Sequence, residues 1–369
     1  MDDGRPLSGI RIVELVGIGP GPFAGQVLAD LGAEVIAVSR PGPALRGVDD
    51  RGKRRVTLDL RDATARRAVL ELCARADALI EGFRPGVAER LGLGPEVVRA
   101  QNERLVYGRI TGWGQTGPWA HKAGHDINYI GLTGALHAMG EAGRPPQPPL
   151  NLVGDYGGGS LFLVAGILAA LLRARSTGEG CVVDTAIIDG TASMLGVVQA
   201  LRSAGLWSDA RGANLLDGGC PYYRCYETAD GGFMAVGAIE AKFFAEMLAL
   251  LKIDPATFGH QNDRTRWPEQ AAELAATFRT RTRAAWEEVF DASDACVTPV
   301  LSMAEAMQHP QNRARDLYRD AAGIAQPGVA PVIGPGADRP VLEEPGASTR
   351  AVLEELGLDA EDIRSLTQG

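Results

Sequence analysis

Two ionisable residues, His125 and Asp155, attract attention because each stands ahead of an apolar stretch with helical spacing. His125 lies in residues 124–129 (GHDINY), and Asp155 lies thirty residues later in 151–160 (NLVGDYGGGS). Backbone N–H groups at a helix N-terminus are free and favour negative charge. If both residues stand at helix N-termini, one imidazole, one carboxylate and two sets of amide donors could transfer protons around a developing oxyanion.

The same residues also have a purely structural interpretation. A glycine-rich turn before a helix is common, and an aspartate close to a helix start is often only a cap. A lone histidine usually has a packing role, and a motif match is a hypothesis until its structural context supports it. The residues by themselves therefore leave catalysis and capping both open.

The first half of the chain alternates strands and helices, which indicates what positions these residues. Short apolar segments predict strands, and segments with helical spacing separate them. This alternation predicts an α/β fold with a mostly parallel, doubly wound sheet. The predicted strands are residues 11–15, 34–38, 55–58, 78–81, 105–110 and 182–185, and the predicted helices are 23–31, 63–76, 95–103 and 189–201.

The second half of the chain has a different pattern. Two strand-like segments, 222–228 and 233–236, flank a short turn, which predicts an antiparallel pair. Helical segments, an extended segment at 294–301 and a terminal helix at 349–366 follow. We therefore expect a large domain (1–200), a linker (201–220), a small α+β domain (221–310) and a segment that returns to the large domain (311–369).

A dinucleotide-binding site is a weak alternative for the first turn. Gly17 and Gly19 match the first two positions of G-x-G-x-x-G, and Arg40 ends the second strand where an NADP-binding arginine could lie. Pro22 stands in place of the third glycine, a position that must be small so that the helix can pack closely on the strand. Pro20 removes an amide donor from the turn. The motif is incomplete.

Bulk properties exclude several classes of protein. A net charge of −9 over 369 residues argues against broad nucleic-acid binding. The longest apolar run, residues 161–172, is shorter than the roughly 20 residues of a membrane span, so we expect no membrane segment. The five cysteines form no CxxC pair or metal-type cluster, and we find no signal peptide or peroxisomal address. These features predict a cytoplasmic protein with free thiols.

Cationic residues cluster in the early loops of this acidic chain. Several follow strands, where ligands of open α/β sheets bind, and arginine suits phosphate recognition. A charge run is more often only a solvated surface. The candidates for a phosphate clamp are Arg40, Arg46, Lys53, Arg54 and Arg84.

Taken in order, these segments resemble the 2-methylacyl-CoA racemases of the family III CoA-transferase (CaiB/BaiF-type) group. The resemblance runs from residue 6 to about residue 301, and the tail beyond about residue 310 matches poorly. Its ordered motifs are 17–22 (GIGPGP), 81–87 (EGFRPGV), 111–117 (TGWGQTG), 124–129, 151–159, 211–219 (RGANLLDGG), 237–240 (GAIE) and 294–301 (DACVTPVL).

The resemblance implies a fold, an assembly and roles for particular residues. It implies a Rossmann-like large domain, a small α+β domain and an interlocked homodimer whose active site combines both chains. His125 and Asp155 match the two proton-transfer residues, and Asp126 matches a residue whose backbone N–H faces the thioester oxygen. Glu240 matches an acid from the partner chain that supports the histidine. The early cationic residues look like coenzyme A phosphate contacts, and no metal or redox cofactor is implied.

Three functions stay open at this point. The first is a racemase that inverts the α carbon of an acyl-CoA, with His125 and Asp155 on opposite faces. The second is a CoA-transferase of the same fold, in which Asp155 would be a covalent nucleophile. The third is a non-catalytic acyl-CoA-binding protein. His125 beside Asp126, with Glu240 available, favours the racemase, because fold similarity alone does not separate the first two.

Overall fold

The computed structural model describes residues 4–42, 47–321, 324–333 and 341–367. They form two compact units. The first comprises the described residues of 1–133, 149–194 and 316–369, and the second comprises 134–148 and 195–315. Residues 134–148, which the sequence placed in the large domain, thus group with the second unit.

A six-stranded sheet is the centre of the first unit. All five strand pairings are parallel, in the order β3-β2-β1-β4-β5-β6. The mixed α/β fold with a parallel, doubly wound sheet is therefore confirmed, and the order is that of dinucleotide-binding Rossmann domains. The strands are β1 (Arg11–Leu15), β2 (Glu34–Ser39), β3 (Lys53–Thr57), β4 (Ala78–Glu81), β5 (Val106–Thr111) and β6 (Val182–Ala186).

Helices cover both faces of this sheet. Alternation along β1 sends Ile12 into the core cluster that also contains residues of α1 and α6, and Val13 into the cluster on the other face. The helices of the first unit before residue 195 are α1 (Pro20–Asp30), α2 (Ala63–Ala74), α3 (Val87–Arg90), α4 (Pro95–Gln101), α5 (Asp126–Leu132), α6 (Leu161–Thr177) and α7 (Ile187–Met194).

The helical run Leu152–Thr177 combines a π-helical segment, Leu152–Ser160, with α6. By length and composition alone this run could cross a membrane. Half of its most apolar window is buried inside the protein, and core helices meet the same criterion, so the indication is weak.

The second unit has a three-stranded antiparallel sheet in the order β7-β8-β9. Helices pack around it through an aromatic core that includes Phe244, Phe278 and Trp286. Its elements are α8 (Gly196–Ser203), β7 (Tyr223–Glu227), β8 (Phe233–Gly237), α9 (Ala241–Leu251), α10 (Pro255–Phe258), α11 (Trp267–Phe278), α12 (Arg283–Phe290), β9 (Val297–Pro299), α13 (Met303–Ala306) and α14 (Pro310–Ala314).

The end of the chain packs on the first unit. After a hairpin of β10 (Tyr318–Ala321) and β11 (Ile324–Pro327), helices α15 (Thr349–Leu356) and α16 (Ala360–Thr367) join the core cluster that contains Val13. The N–H of Thr57 on edge strand β3 donates to Thr349 Oγ1 at 3.0 Å. This segment therefore covers an edge that would otherwise offer unpaired backbone groups.

Two sequence predictions about elements are wrong. The terminal helix is broken at Gly357, which adopts a left-handed φ of 81° and ends α15. The helix predicted over 189–201 is two helices, α7 and α8, with Leu195 between them. The segment predicted as a linker is held by Asn214, which is buried and whose amide donates to Ser208 O, Ala210 O and Asp217 Oδ2.

Candidate active site

His125 lies at the N-terminus of α5, as the sequence predicts. It is the N-cap residue, with extended backbone angles, and its side chain is exposed. Asp126 follows as the first helical residue and is buried. The N–H groups of Asp126 and Ile127, the first two residues of α5, have no acceptor within the helix, so they are available to an oxygen outside it.

Asp155 lies near a helix N-terminus, as the sequence predicts, but the helical run begins before it, at Leu152, rather than after it, at Leu161. It lies in the first turn of the π-helical segment, after Asn151 as N-cap residue. Glycine-rich sequence disfavours helix, and the structural reason for the exception is close packing against α7. A Cβ on Gly158 would lie 2.7 Å from the Thr191 nitrogen and 3.0 Å from the Ile187 carbonyl oxygen. Only glycine allows this approach, and π-helical turns are frequent at functional sites.

Asp126 and Asp155 are joined by a hydrogen bond from backbone to side chain. The N–H of Asp155 donates to Asp126 Oδ2 at 2.7 Å. Within the described part of the chain the other oxygen, Asp126 Oδ1, is buried without a hydrogen-bond partner. Gly154 makes room for the bond, because a Cβ there would lie 2.5 Å from Asp126 Oδ2. The two predicted site segments are thus held together by their own site residues.

The charge of this cluster prepares Asp155 for proton transfer. Burial, and then the negative charge of Asp126, raise the pKa of Asp155 to about 6, and His125 acts in the opposite direction. A carboxyl group with a pKa close to neutral can both take up and release a proton at physiological pH. His125, Asp126 and Asp155 therefore form one electrostatic unit.

The N-terminal turn of α1 borders the carboxylate of Asp155. Gly19 has a left-handed φ of 81°, and a Cβ there would be 3.4 Å from Asp155 Oδ2. The buried Ser160 hydroxyl lies within hydrogen-bond distance of two carbonyl oxygens, that of Pro20 at 2.7 Å and that of Asp155 at 3.1 Å. Ser160 therefore ties the first turn of the chain to the backbone of the acid, a link that sequence reasoning missed.

This arrangement lies at the switch point of the sheet. β1 and β4 are neighbours at the centre of the sheet; β2 and β3 are added on the side of β1, and β5 and β6 on the side of β4. The loops that follow these two strands contain Gly19 and Arg84, and ligands of doubly wound sheets bind in the crevice between such loops.

Arg84 is exposed on a loop that buried charges hold in place. Glu81 Oε2 accepts a hydrogen bond from the Phe83 N–H at 2.7 Å, and its Oε1 accepts one from Arg109 Nε at 2.8 Å. Arg109 also pairs with Glu89. Sequence reasoning missed this network. Its only signal in the sequence is the carboxylate of Glu81 at the end of an otherwise apolar strand.

The remaining cationic candidates have different placements. Arg40 is exposed just beyond β2, and Arg46 lies outside the described residues. Lys53 is buried, and its Nζ donates to Glu14 Oε2 at 2.6 Å and to the Pro22 carbonyl at 2.8 Å. This placement contradicts the prediction that Lys53 binds phosphate.

Arg54 is also engaged within the protein. Its guanidinium pairs with Glu34 at 2.7 Å and with Glu355 of α15 at 2.6 Å. It therefore joins the C-terminal helix to the sheet, and its charge is already neutralised. We do not retain it as a phosphate ligand.

Glu240 belongs to the second unit. It is exposed and is the N-cap residue of α9. Its predicted role beside His125 of a partner chain stays a prediction.

A Rossmann-like parallel sheet and a second α+β unit are the architecture that the resemblance to the family III CoA-transferase group implies. Residues 7–337 match CoA-transferase family III, and the chain belongs to that family. The match passes residue 310, so the expectation that the tail resembles the family poorly is wrong.

Two curated relatives are similar over nearly their whole length. The chain is 43% identical over 366 residues to the alpha-methylacyl-CoA racemase of Mus musculus, covering 98% of this chain and 96% of that protein. It is 41% identical over 365 residues to the racemase of Homo sapiens, with coverage of 98% and 96%. The crystal structure of a CaiB/BaiF family protein from Brucella suis superposes with a TM-score of 0.81 at 28% identity, covering 95% and 99% of the two chains.

Proposed function

We propose that the protein is an isomerase that inverts the α carbon of 2-methylacyl-CoA thioesters by transferring protons. The observation that carries this function is the joining of His125 and Asp155 into one cluster by the Asp126 carboxylate and the Asp155 N–H. Identity of 43% and 41% to alpha-methylacyl-CoA racemases over 98% of the chain supports the same chemistry.

The proposed reaction needs one acid and one base on opposite faces of the α carbon. With one enantiomer Asp155 removes the α proton and His125 returns a proton to the other face; with the other enantiomer the roles are exchanged. The electron pair of the broken C–H bond moves into the thioester, giving an enolate. The Asp126 N–H at the start of α5 is the proposed donor to the enolate oxygen.

We also propose that two chains combine in each site, with Glu240 supplied by the partner subunit. The support within this chain is exposed apolar surface beside the candidate residues. Ile127 and Leu132 on α5 are 44% and 55% exposed, and Leu152 and Leu161 of the long helix are 57% and 49% exposed. Such surface on a monomer commonly marks a protein–protein interface.

The proposed coenzyme A contacts are reduced to the exposed Arg40 and Arg84, together with Arg46. Arg84 has the strongest support, because its loop borders the switch point and is fixed by Glu81. A guanidinium in this position can bind a phosphate with two parallel hydrogen bonds.

The test is incubation of the protein with each enantiomer of a 2-methylacyl-CoA in heavy water. A racemase incorporates deuterium at the α carbon, inverts the centre and leaves the thioester intact. A transferase would instead release coenzyme A and form an acyl anhydride with Asp155, which hydroxylamine would trap. If hydroxylamine traps acylated Asp155 and the α carbon takes up no deuterium, the protein is a transferase and not a racemase.

A further inference from the structure

We propose that Asn128 and Tyr129 clamp the peptide bond between Gly124 and His125 and thereby act as positioning residues for the His125 imidazole. This inference rests on the proposed racemase function. The Tyr129 hydroxyl donates to the Gly124 carbonyl oxygen. The His125 N–H, on the other side of the same peptide unit, donates to Asn128 Oδ1 at 3.0 Å.

Two hydrogen bonds to one peptide unit fix its orientation. The peptide is planar, so holding its oxygen and its N–H determines the direction from which the chain enters the His125 Cα. On the other side of that Cα, the His125 carbonyl accepts from the Asn128 N–H at 2.8 Å. The backbone of His125 is thus held on both sides, which leaves its side-chain torsions as the remaining freedom.

The Tyr129 ring has little room to move away from this position. Trp113 packs edge-on against it, with ring centroids 4.8 Å apart. A Cβ on Gly124 would lie 2.7 Å from Tyr129 Cε1, and a Cβ on Gly112 would overlap the ring. Two glycines and a tryptophan therefore shape a slot for this tyrosine.

The hydroxyl of Tyr129 remains a hydrogen-bond donor at neutral pH. Burial raises the pKa of the phenol, the negative charge of Asp155 raises it further, and Arg84 acts in the opposite direction. Tyr129 is therefore electrostatically coupled to the site as well as bonded next to it.

The Asn128 bond is also one half of the capping box at the start of α5, but helix capping does not account for the tyrosine bond. A cap satisfies free N–H groups of the first turn, whereas the Tyr129 hydroxyl donates to a carbonyl that precedes the helix. The bond satisfies none of the free donors of α5, so its effect falls on the peptide that leads into His125.

The test compares Tyr129→Phe with Tyr107→Phe as a matched control. The Tyr107 hydroxyl also donates to a backbone carbonyl, that of Leu93 at 2.8 Å, in the same unit and in a buried position. Both variants lose one phenolic oxygen and one hydrogen bond. For each variant the initial rate of α-deuterium uptake is measured on each enantiomer separately, with His125→Ala and Asp155→Ala as reference patterns.

Tyr129→Phe should reproduce the asymmetry of His125→Ala in weaker form. Misplacement of a catalytic group by about 1 Å can lower the rate about a hundredfold, so we expect a fall of about ten- to a hundredfold for the enantiomer that His125 deprotonates. For the other enantiomer, which Asp155 deprotonates, uptake with retention should stay within about twofold of wild type. Asn128→Ala should shift the ratio of the uptake rates of the two enantiomers in the same direction. Tyr107→Phe should keep the wild-type ratio of the two uptake rates, even if the loss of its hydrogen bond lowers the midpoint of thermal unfolding.

Three results would overturn the clamp: equal losses for both enantiomers, the pattern of Asp155→Ala, or an unchanged ratio in both Tyr129→Phe and Asn128→Ala. Wild-type protein that takes up no α-deuterium at all would instead refute the racemase function on which the clamp rests. The two failures are therefore distinguishable in one set of measurements.

Discussion

Asp126 gives the site a second carboxylate whose side chain does no proposed chemistry. Its Oδ2 accepts the Asp155 N–H, and its charge contributes to the raised pKa of Asp155. A bonded carboxylate in this position both fixes the backbone of the acid and adjusts its protonation.

Replacing Asp126 with Asn should separate these two effects. The amide oxygen can still accept the Asp155 N–H, but the negative charge is gone, so the pKa of Asp155 should fall below about 6. In the direction in which Asp155 is the base, kcat/KM rises with pH as the carboxylate ionises. Its acid limb should therefore move to lower pH. A limb that stays in place or moves upward in a pH profile would contradict this electrostatic role.

Lys53 shows why residue type alone is a poor guide to a phosphate site. Its partner Glu14 lies on β1, and burial raises the pKa of that carboxyl to about 7 while Lys53 opposes the rise. Lys53→Met should lower the free energy of unfolding by about 3–5 kcal/mol, because it leaves a buried charge unpaired. In this variant the folded pKa of Glu14 lies further above its unfolded value, so the loss should grow as pH rises.

Denaturant unfolding of Lys53→Met at two pH values measures this loss, and Lys242→Met is the control. Lys242 is exposed on α9, so its replacement should change stability by about 0.5 kcal/mol or less. If Lys53→Met instead raises the KM for acyl-CoA and leaves stability unchanged, Lys53 is a phosphate ligand after all.

Arg84 is the cation whose loss should affect coenzyme A binding. Arg84→Ala should weaken acyl-CoA binding about tenfold or more, since hydrogen bonds to charged groups contribute about 1.5–3 kcal/mol. Binding of a short thioester without the nucleotide should change little. Arg175→Ala, near the far end of α6, is a matched exposed control. Equal weakening of both ligands would place the action of Arg84 elsewhere.

At the scale of elements, the contact between the π-helical segment and α7 positions Asp155. Gly158→Ala should force the two apart, at a cost of about 1–3 kcal/mol for overpacking, and should lower kcat as Asp155 moves. Gly196→Ala, where a Cβ would meet nothing within 4 Å, should keep both stability and kcat close to wild type. The stability of both variants is measured by thermal unfolding, and their kcat by initial rates. An unchanged kcat in a destabilised Gly158→Ala protein would show that this contact does not determine the position of Asp155.

The elements also show what sequence could and could not predict. β1 and β4 were predicted with the observed bounds, because their apolar patterns are local. The helix around Asp155 was missed, because glycine disfavours helix locally and only the distant α7 stabilises it. The burial of Lys53 was missed for the same reason, since its partner lies 39 residues away.

At the scale of the whole molecule, the candidate residues are divided between the two units. His125, Asp126 and Asp155 lie in the first unit, and Glu240 lies in the second. Because the family resemblance implies an interlocked homodimer, we propose that Glu240 acts on His125 of the partner chain. A site shared in this way makes activity depend on which chains are paired.

Mixing two inactive variants, Glu240→Ala and His125→Ala, tests this sharing. In a heterodimer of the two, one site would combine an intact His125 with an intact Glu240, while the other site would lack both. Random exchange of subunits makes half of the dimers mixed, so about a quarter of wild-type activity should return. The control is a mixture of His125→Ala with Asp155→Ala, both in the first unit, which should stay inactive because every site lacks one of the two bases. If subunit exchange is demonstrated with labelled chains and the Glu240→Ala mixture still stays inactive, Glu240 does not act on His125 of the partner chain.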